Sequence, residues 1–141
     1  MDQQQPATTG ADRTPIAVVR EIYEAFATKD IEAILALMHP DIVVEQDPAL
    51  PWGGRHVGHE GLGTFMLALV GSIDSAVTIE GMFQAGDSVV QHGRTAGTVR
   101  ATGVAFDIPE CHVWRVVDGL AVEARYFIDS EAMLERLAAE A

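Results

Sequence analysis

A carboxylate and an imidazole, each next to apolar residues, are the features of this sequence that could do chemistry. Asp47 precedes Pro48 at the end of a β-branched run, and His112 lies among apolar residues that include Trp114. A carboxylate that an apolar wall desolvates has a raised pKa and becomes a competent base near neutral pH. A neutral imidazole can donate a hydrogen bond to a carbonyl oxygen or relay a proton. Asp47 and His112 are therefore candidates for the base and the hydrogen-bond donor that proton transfer on a carbonyl compound needs.

Asp47, His112 and Asp129 each also have a structural explanation. An Asp-Pro pair often starts a turn, and a single histidine among apolar strand residues is often part of the core. Asp129 stands directly before a helical pattern, so it is either the N-cap of that helix or a third catalytic carboxylate. The sequence leaves a catalytic and a structural interpretation open for all three residues.

Arg94 and the pair His56 and His59 carry weaker signals. If Arg94 points inward from its strand, it can bind a carboxylate or complete the Asp-Arg-Asp set of an epoxide hydrolase. If it points outward, it is a solvated strand residue. His56 and His59 are three residues apart beside a helix start, but no third ligand is in register with them. We therefore expect no metal site.

The composition limits the class of protein. With 141 residues, 48% of them hydrophobic, the chain can form one domain around one sizeable core. A formal net charge of −12, with only 9 Lys and Arg residues, argues against nucleic acid as a partner. No apolar run is long enough to span a bilayer, and the polar start of the chain lacks the layout of a signal peptide. The single cysteine, Cys111, fits a reducing compartment, so we expect a cytoplasmic protein.

Helical patterns fill most of the first half of the chain, and strand patterns fill most of the second half. Thr14 and Pro15 have the types that open a helix, and Asp118-Gly119 is a strong hairpin signal. In the first half of the chain we predict a flexible lead-in over residues 1–13, a helix from Pro15, a short helix from Asp30 that includes Met38, a strand over 41–47, a loop through Gly58 and a helix over 62–73. In the second half we predict strands at 77–80, 87–100, about 104–117 and 120–128, followed by a helix over 131–138. Helices followed by strands predict one α+β domain, over residues 14–141, in which helices pack on one face of a curved antiparallel sheet.

Four stretches of this sequence, taken in order, resemble the nuclear transport factor 2-like superfamily, and within it the SnoaL-like and ketosteroid-isomerase-like branch. They are residues 18–38, with Lys29-Asp30-Ile31-Glu32-Ala33-Ile34 between two helical patterns, residues 43–48, residues 54–61, and residues 112–119 with the following strand to Asp129. The resemblance covers roughly residues 14–139. It implies a cone-shaped barrel with an internal pocket, formed by the sheet and three helices of the N-terminal half, and a homodimer through the outer sheet face. It does not fix a reaction, because one fold hosts many activities.

The resemblance also implies roles for individual residues. His112 stands where ketosteroid isomerases carry the protonated aspartic acid of their oxyanion site, and Asp47 matches their general base. One additional residue between Glu45 and Asp47 leaves Glu45 as the alternative base. Tyr126 falls near the position where SnoaL-like cyclases carry their acid/base aspartate. Because a tyrosine stands there in this chain, we do not expect the specific aldol mechanism of those cyclases.

The oxyanion tyrosine of ketosteroid isomerases aligns with Ile22 in this chain. Tyr23 is the next residue, about 100° further around the helix, so we do not expect steroid isomerisation. Tyr23 is nevertheless expected to approach the pocket with other aromatic residues. The expected substrate-binding residues are Tyr23, Phe26, Glu45, Trp52, Phe65, Arg94, Trp114 and Tyr126.

Together these observations predict a cofactor-independent isomerase, cyclase or dehydratase. Its substrate is expected to be a small, largely apolar carbonyl compound, on which Asp47 or Glu45 moves a proton. A non-catalytic protein that binds a small molecule is the alternative, and an epoxide hydrolase is a weaker one. The expected partner is a second copy of the chain that buries Cys111, Val113 and Val117 or their neighbours; no nucleic acid or membrane is expected.

Overall fold

The computed structural model describes residues 13–140, so the expected lead-in lies, apart from Arg13, outside the described part of the chain. Four helices are present in this part: α1 (Pro15–Thr28), α2 (Ile31–Ala36), α3 (Gly58–Ser72) and α4 (Ser130–Ala138). Thr14 accepts a hydrogen bond from the backbone N–H of Ala17 at the start of α1, as Asp30 does from Ala33 at the start of α2. Both predicted N-caps are confirmed, because each side chain satisfies a donor that has no partner inside its helix. None of these helices is long and apolar enough to cross a membrane.

Six strands form one curved sheet against which the helices pack. They are β1 (Met38–Gln46), β2 (Gly54–Val57), β3 (Ile73–Ala85), β4 (Ser88–Val99), β5 (Ala105–Val117) and β6 (Leu120–Ile128), in the order β2-β1-β6-β5-β4-β3. Neighbouring strands are antiparallel except β1 and β6, which are parallel. The predicted α+β fold with three helices in the N-terminal half is confirmed. The parallel pair departs from the predicted antiparallel sheet, and the long connection that it needs contains α3 and four strands.

Strand pairing moves three element boundaries away from those that the local pattern predicts. Met38 lies in β1 instead of the second helix, is 2% exposed, and pairs with Ala121 of β6. Ile73 begins β3 instead of ending the third helix. The segment Gly54–Val57, predicted as part of a loop, pairs with β1 as a short strand. Pairing with a distant strand sets each boundary, and the local pattern does not contain that information.

The β5–β6 hairpin fixes which side chains of β5 face the interior. Asp118 and Gly119 at its turn have φ angles of 52° and 80°, and two positive values are what a type I′ turn requires. The inner face of β5 carries Phe106, Ile108, Glu110, His112, Trp114 and Val116, all of which except His112 are buried. The opposite face is exposed or half-buried. The predicted alternation is confirmed, and the inner face of β5 is the wall on which the candidate site is built.

Candidate active site

Four polar side chains are gathered between α1 and the middle of the sheet. Tyr23 comes from α1, Gln91 from β4, and Glu110 and His112 from the inner face of β5. Gln91 and His112 are directly paired across the two strands, which places their side chains on the same face. Gln91 is fully buried, and the side chains of Glu110 and His112 are 0% and 13% exposed. These four residues are termed the polar cluster.

The hydroxyl of Tyr23 is the centre of the hydrogen bonds in the polar cluster. It accepts from Trp114 Nε1–H at 3.0 Å and from Gln91 Nε2–H at 3.1 Å. Its own proton can then be donated to His112 Nδ1, which is 2.7 Å away. Because Nδ1 accepts this bond, the proton of the neutral imidazole resides on Nε2. His112 is thereby oriented as a donor through Nε2.

Tyr23 approaches the aromatic residues of the interior, as expected from the sequence, although Ile22 precedes it on the buried side of α1. Ile22 is fully buried in the core, whereas the neighbouring Tyr23 reaches the polar cluster. The face that an amphipathic helix buries is about 100° wide or more, so two successive residues can both meet the sheet. A tyrosine hydroxyl is therefore present beside His112.

Glu110 is the carboxyl group that the fold places in the site. Its Oε1 accepts from Gln91 Nε2 at 3.0 Å and lies 3.2 Å from His112 Nε2. Its Oε2 has no hydrogen-bond partner within residues 13–140. Burial raises the pKa of Glu110 to about 7; the bond from Gln91 opposes this effect and the charge of Glu80 reinforces it. A carboxyl with such a pKa can both take up and release a proton at neutral pH.

The imidazole of His112 is neutral at the same pH. Burial lowers the pKa of His112 to about 3, and burial also raises the pKa of Tyr23, so that the phenol keeps its proton. The contact between Glu110 and His112 thus joins a carboxyl group to a neutral imidazole. A neutral Nε2–H can stabilise charge that develops on a substrate oxygen, and the adjacent carboxyl can move a proton.

Aromatic rings form a wall beside the polar cluster. The Tyr23 and His112 rings are stacked, with centroids 6.0 Å apart and 8° between their planes. The ring of Tyr126 lies 4.6 Å from His112, 5.6 Å from Trp114 and 5.5 Å from Phe65. The structure therefore brings together four of the residues that the sequence assigns to substrate binding: Tyr23, Phe65, Trp114 and Tyr126.

Asp47 lies outside this site. It is exposed, and its Oδ1 accepts from the backbone N–H of Ala49 at 2.9 Å. That bond and one from the Ser130 hydroxyl hold the pKa of Asp47 below its usual range. The expectation of a desolvated Asp47 with a raised pKa is wrong, because Asp47 follows the last residue of β1 and starts a turn.

Glu45 is on the outer face of β1. It pairs in register with Arg55 and Arg125, its carboxylate is 3.6 Å from the Arg55 guanidinium, and its side chain is 40% exposed. Alternation along the strand turns the intervening Gln46 inward, opposite Tyr126. The residue of this segment that faces the interior is therefore an amide, which is not a base.

Trp52 and Phe26 belong to the packing around the site. Trp52 is 1% exposed, and its Nε1–H donates to Gln46 Oε1 at 2.9 Å, which ties the loop before β2 to the end of β1. Phe26 is half-buried and packs against the core. Neither residue makes a hydrogen bond with the polar cluster.

Asp129 and Arg94 have structural surroundings in this fold. Asp129 is the N-cap of α4 and accepts from the backbone N–H of Ala132 at 3.1 Å. Arg94 pairs with Asp107 at 2.6 Å on the outer sheet face. Because Arg94 lies on the outer face, residues 13–140 do not form the interior Asp-Arg-Asp set that an epoxide hydrolase would need. The Nε2 atoms of His56 and His59 lie 3.1 Å and 3.0 Å from backbone carbonyl oxygens.

Glu110 and Gln91 are the site residues that the sequence analysis missed. Glu110 shares the alternating face of β5 with His112 and Trp114, so the strand pattern already placed it inward. A charged residue on an apolar strand face was the available signal, since buried carboxyls are rare and concentrate at functional sites. Gln91 lies on the equivalent face of β4 next to Val89, and only the pairing of the two strands reveals that it meets Glu110.

An open cleft of about 690 Å³ lies at the ends of β1 and β6. Its lining includes Glu45, Asp47, Arg55, Arg125 and Tyr126. Tyr126 connects the cleft with the aromatic wall, but the polar cluster itself does not line it. The polar cluster differs from the cleft because its groups are buried and the pKa values of Glu110 and His112 are shifted, whereas the charged groups of the cleft are solvated.

The sequence profile of the SnoaL-like domain matches residues 19–124 of this chain. The matched region contains the whole polar cluster: Tyr23, Gln91, Glu110 and His112. No curated protein matches the sequence.

Solved structures share the fold. An NTF2-like protein from Burkholderia thailandensis is 28% identical over 90% of this chain and 99% of that chain, with a TM-score of 0.84. TerC, co-crystallised with polyporic acid, is 25% identical over 89% of this chain and 98% of that chain, with a TM-score of 0.81. IdmH from Streptomyces antibioticus, described as a candidate polyketide cyclase, is 28% identical over 90% of this chain and 100% of that chain, with a TM-score of 0.71.

Proposed function

This chain belongs to the SnoaL-like domain family, and from that premise we propose that it is a cofactor-independent enzyme of the isomerase or cyclase type. Its substrate is a small, largely apolar carbonyl compound that binds at the polar cluster. One observation carries the proposal: the buried Glu110 carboxyl, with a pKa of about 7, lies 3.2 Å from the neutral imidazole of His112. Enolate chemistry needs a base that is active near neutral pH beside a hydrogen-bond donor.

In the proposed reaction, Glu110 takes a proton from the carbon next to the carbonyl as the C–H bond breaks. The electron pair moves onto the carbonyl oxygen, which receives a hydrogen bond from His112 Nε2–H. In an isomerase, Glu110 returns the proton to a different carbon of the enolate. In a cyclase, the enolate carbon bonds to a second carbonyl carbon of the same molecule, and Glu110 protonates the new alkoxide. Tyr23 is a positioning residue, since its bond to Nδ1 keeps the imidazole proton on Nε2.

Two relatives support a substrate with rings. IdmH is described as a candidate polyketide cyclase, and TerC has been co-crystallised with polyporic acid. Tyr23, Trp114 and Tyr126 pack edge to face beside the polar cluster, and Tyr126 also lines the open cleft, where a planar molecule can pack against its ring. We therefore favour a planar, polyketide-like carbonyl compound over an aliphatic one.

Exchange of protons next to a carbonyl tests the proposal before the natural substrate is known. A panel of cyclic and aryl ketones is incubated with the protein in deuterium oxide, and NMR follows the loss of the proton signal. We expect the wild-type protein to accelerate exchange in at least one ketone. Glu110→Gln keeps the shape and removes the base, so the accelerated rate should fall by about 10²–10⁴. Asp47→Asn should retain the rate.

The competing outcomes separate the alternatives. Loss of exchange in Asp47→Asn together with retention in Glu110→Gln would assign the base to Asp47 and contradict the proposal. Absence of exchange above buffer across the panel would instead favour a non-catalytic protein that binds a small molecule.

A further inference from the structure

We propose that Gln91 Oε1 is a recognition site for an O–H or N–H donor of the substrate, so that the substrate is a hydroxylated carbonyl compound, such as a phenol or an enol. The inference rests on the proposed function for the place where the substrate binds. It goes beyond that function because it specifies a polar group that the substrate must carry in addition to the reacting carbonyl.

The amide of Gln91 is only half satisfied within the protein. Its Nε2 donates to Tyr23 at 3.1 Å and to Glu110 Oε1 at 3.0 Å. Its Oε1 is buried and has no hydrogen-bond partner within residues 13–140, although the residue is 0% exposed. Leaving a buried acceptor unpaired costs free energy, so the oxygen provides a favourable position for a donor.

The orientation of the amide follows from its neighbours. If the amide were reversed, Gln91 Oε1 would face Glu110 Oε1 at 3.0 Å, and the two oxygens would repel each other whenever Glu110 is ionised, as it must be to act as a base. The observed orientation instead directs NH₂ at the carboxyl and leaves the carbonyl oxygen for another molecule.

Gly93 lets the backbone of β3 pack close to this oxygen. A Cβ at Gly93 would lie 3.1 Å from Gln91 Oε1 and 1.9 Å from the backbone oxygen of Thr78. Gly93 pairs with Glu110 across the sheet, and Glu110 Oε2 is the second buried oxygen without a partner. Two buried acceptors therefore lie on the inner face of neighbouring strands around a residue that has no side chain.

An exposed apolar surface continues from this position along β3. Ile79 pairs with Gly93, and Val77 pairs with Thr95, so that both point to the inner face of the sheet. They are nevertheless 41% and 37% exposed. An apolar ring lying against Ile79 and Val77 could place a hydroxyl at Gln91 Oε1, whereas its methyl ether could not donate.

Matched pairs of ligands test the inference. The three hydroxyacetophenones, their methyl ethers and unsubstituted acetophenone are titrated by calorimetry or ligand-observed NMR against the wild-type protein and Gln91→Met. We expect at least one hydroxyl compound to bind the wild-type protein about tenfold more tightly than its methyl ether, as one added hydrogen bond allows. In Gln91→Met, this ratio should fall to about one, because the thioether sulfur is at most a weak acceptor.

The inference is overturned if each hydroxyl compound binds no better than its methyl ether, if the preference persists in Gln91→Met, or if none of the compounds binds at millimolar concentration. The wild-type ratio alone remains informative if Gln91→Met does not fold. Deuterium exchange at the methyl ketone, followed in the same samples, keeps the two proposals apart. Exchange without a hydroxyl preference removes only the recognition site, and a hydroxyl preference without exchange removes only the proposed catalysis.

Discussion

At the scale of single residues, the hydrogen bond between Tyr23 and His112 determines which ring nitrogen of His112 carries the proton. His112 Nδ1 accepts from the Tyr23 hydroxyl at 2.7 Å, so Nε2 carries the proton that a substrate oxygen needs. The same hydroxyl accepts from Trp114 and Gln91, which fixes the direction of its own O–H. Tyr23 thus acts through His112, although its ring also belongs to the aromatic wall.

Tyr23→Phe should lower both stability and rate. Removing the hydroxyl leaves the N–H groups of Trp114 and Gln91 with one acceptor fewer, which should lower the free energy of unfolding by about 1–3 kcal/mol. It also removes the donor to Nδ1, so the imidazole proton is no longer held on Nε2, and proton exchange should slow about tenfold or more. Urea unfolding and NMR exchange measure the two effects, and ¹⁵N shifts of His112 report its tautomer.

Tyr126→Phe is the matched control for this change. The Tyr126 ring contacts His112, but its hydroxyl makes no hydrogen bond to another side chain of the described residues. A tautomer of His112 that is unchanged in Tyr23→Phe, or equal losses in both variants, would contradict the positioning role.

The sequence predicted part of this site, for identifiable reasons. His112 and Trp114 were placed on the inner face correctly because period-two alternation is a local property. Asp47 was misplaced because Glu45 and Asp47 surround the inward Gln46, and a shift of one residue reverses the face of a strand residue. Gln91 could not be found, since its meeting with Glu110 depends on the register between two strands.

At the scale of elements, Asp129 is explained by the helix that it starts. Its side chain accepts from the N–H of Ala132, which has no partner inside α4. Asp30 has the same arrangement at α2, where no catalytic role was expected. Local cap chemistry predicted both helix starts, whereas the parallel pairing of β1 and β6 depends on chain topology and was not predicted.

Substitution of Asp129 should separate a cap from a catalytic acid. Asp129→Ala should lower the free energy of unfolding by about 1 kcal/mol and leave proton exchange unchanged. Asp129→Asn should preserve both, because asparagine is as good an N-cap as aspartate. Urea unfolding and the exchange assay measure these effects. A variant Asp129→Asn that folds normally but no longer accelerates exchange would give the carboxylate a role in catalysis.

At the scale of the whole molecule, the outer face of the sheet is unusually apolar for a surface. Phe83 and Phe127 on this face are 54% and 50% exposed, and Cys111 and Val113 are half-buried between them. Val90 pairs with both Phe83 and Val113, which makes the apolar surface continuous. Contiguous exposed apolar patches mark interaction sites, and identical copies most often pair with two-fold symmetry.

We expect the protein to form a homodimer through this outer face. Phe127→Glu places a charge in the patch and should shift the protein from dimer to monomer in light scattering at micromolar concentration. Leu67→Glu is the control, because Leu67 is 74% exposed on α3 and lies outside the patch. A wild-type protein that is monomeric, or a dimer that persists in Phe127→Glu, would contradict this expectation.

The proposed mechanism requires Glu110 to be a buried base with a pKa close to neutrality. Titration of the Glu110 carboxyl carbon by ¹³C NMR, with the signal assigned from its loss in Glu110→Gln, measures this pKa directly. Burial should place the midpoint at about 7, well above the value of about 4.3 for an unperturbed glutamate. A midpoint at or below about 4.3 would show that Glu110 is already fully ionised and too weak a base at neutral pH, and would contradict the proposed mechanism.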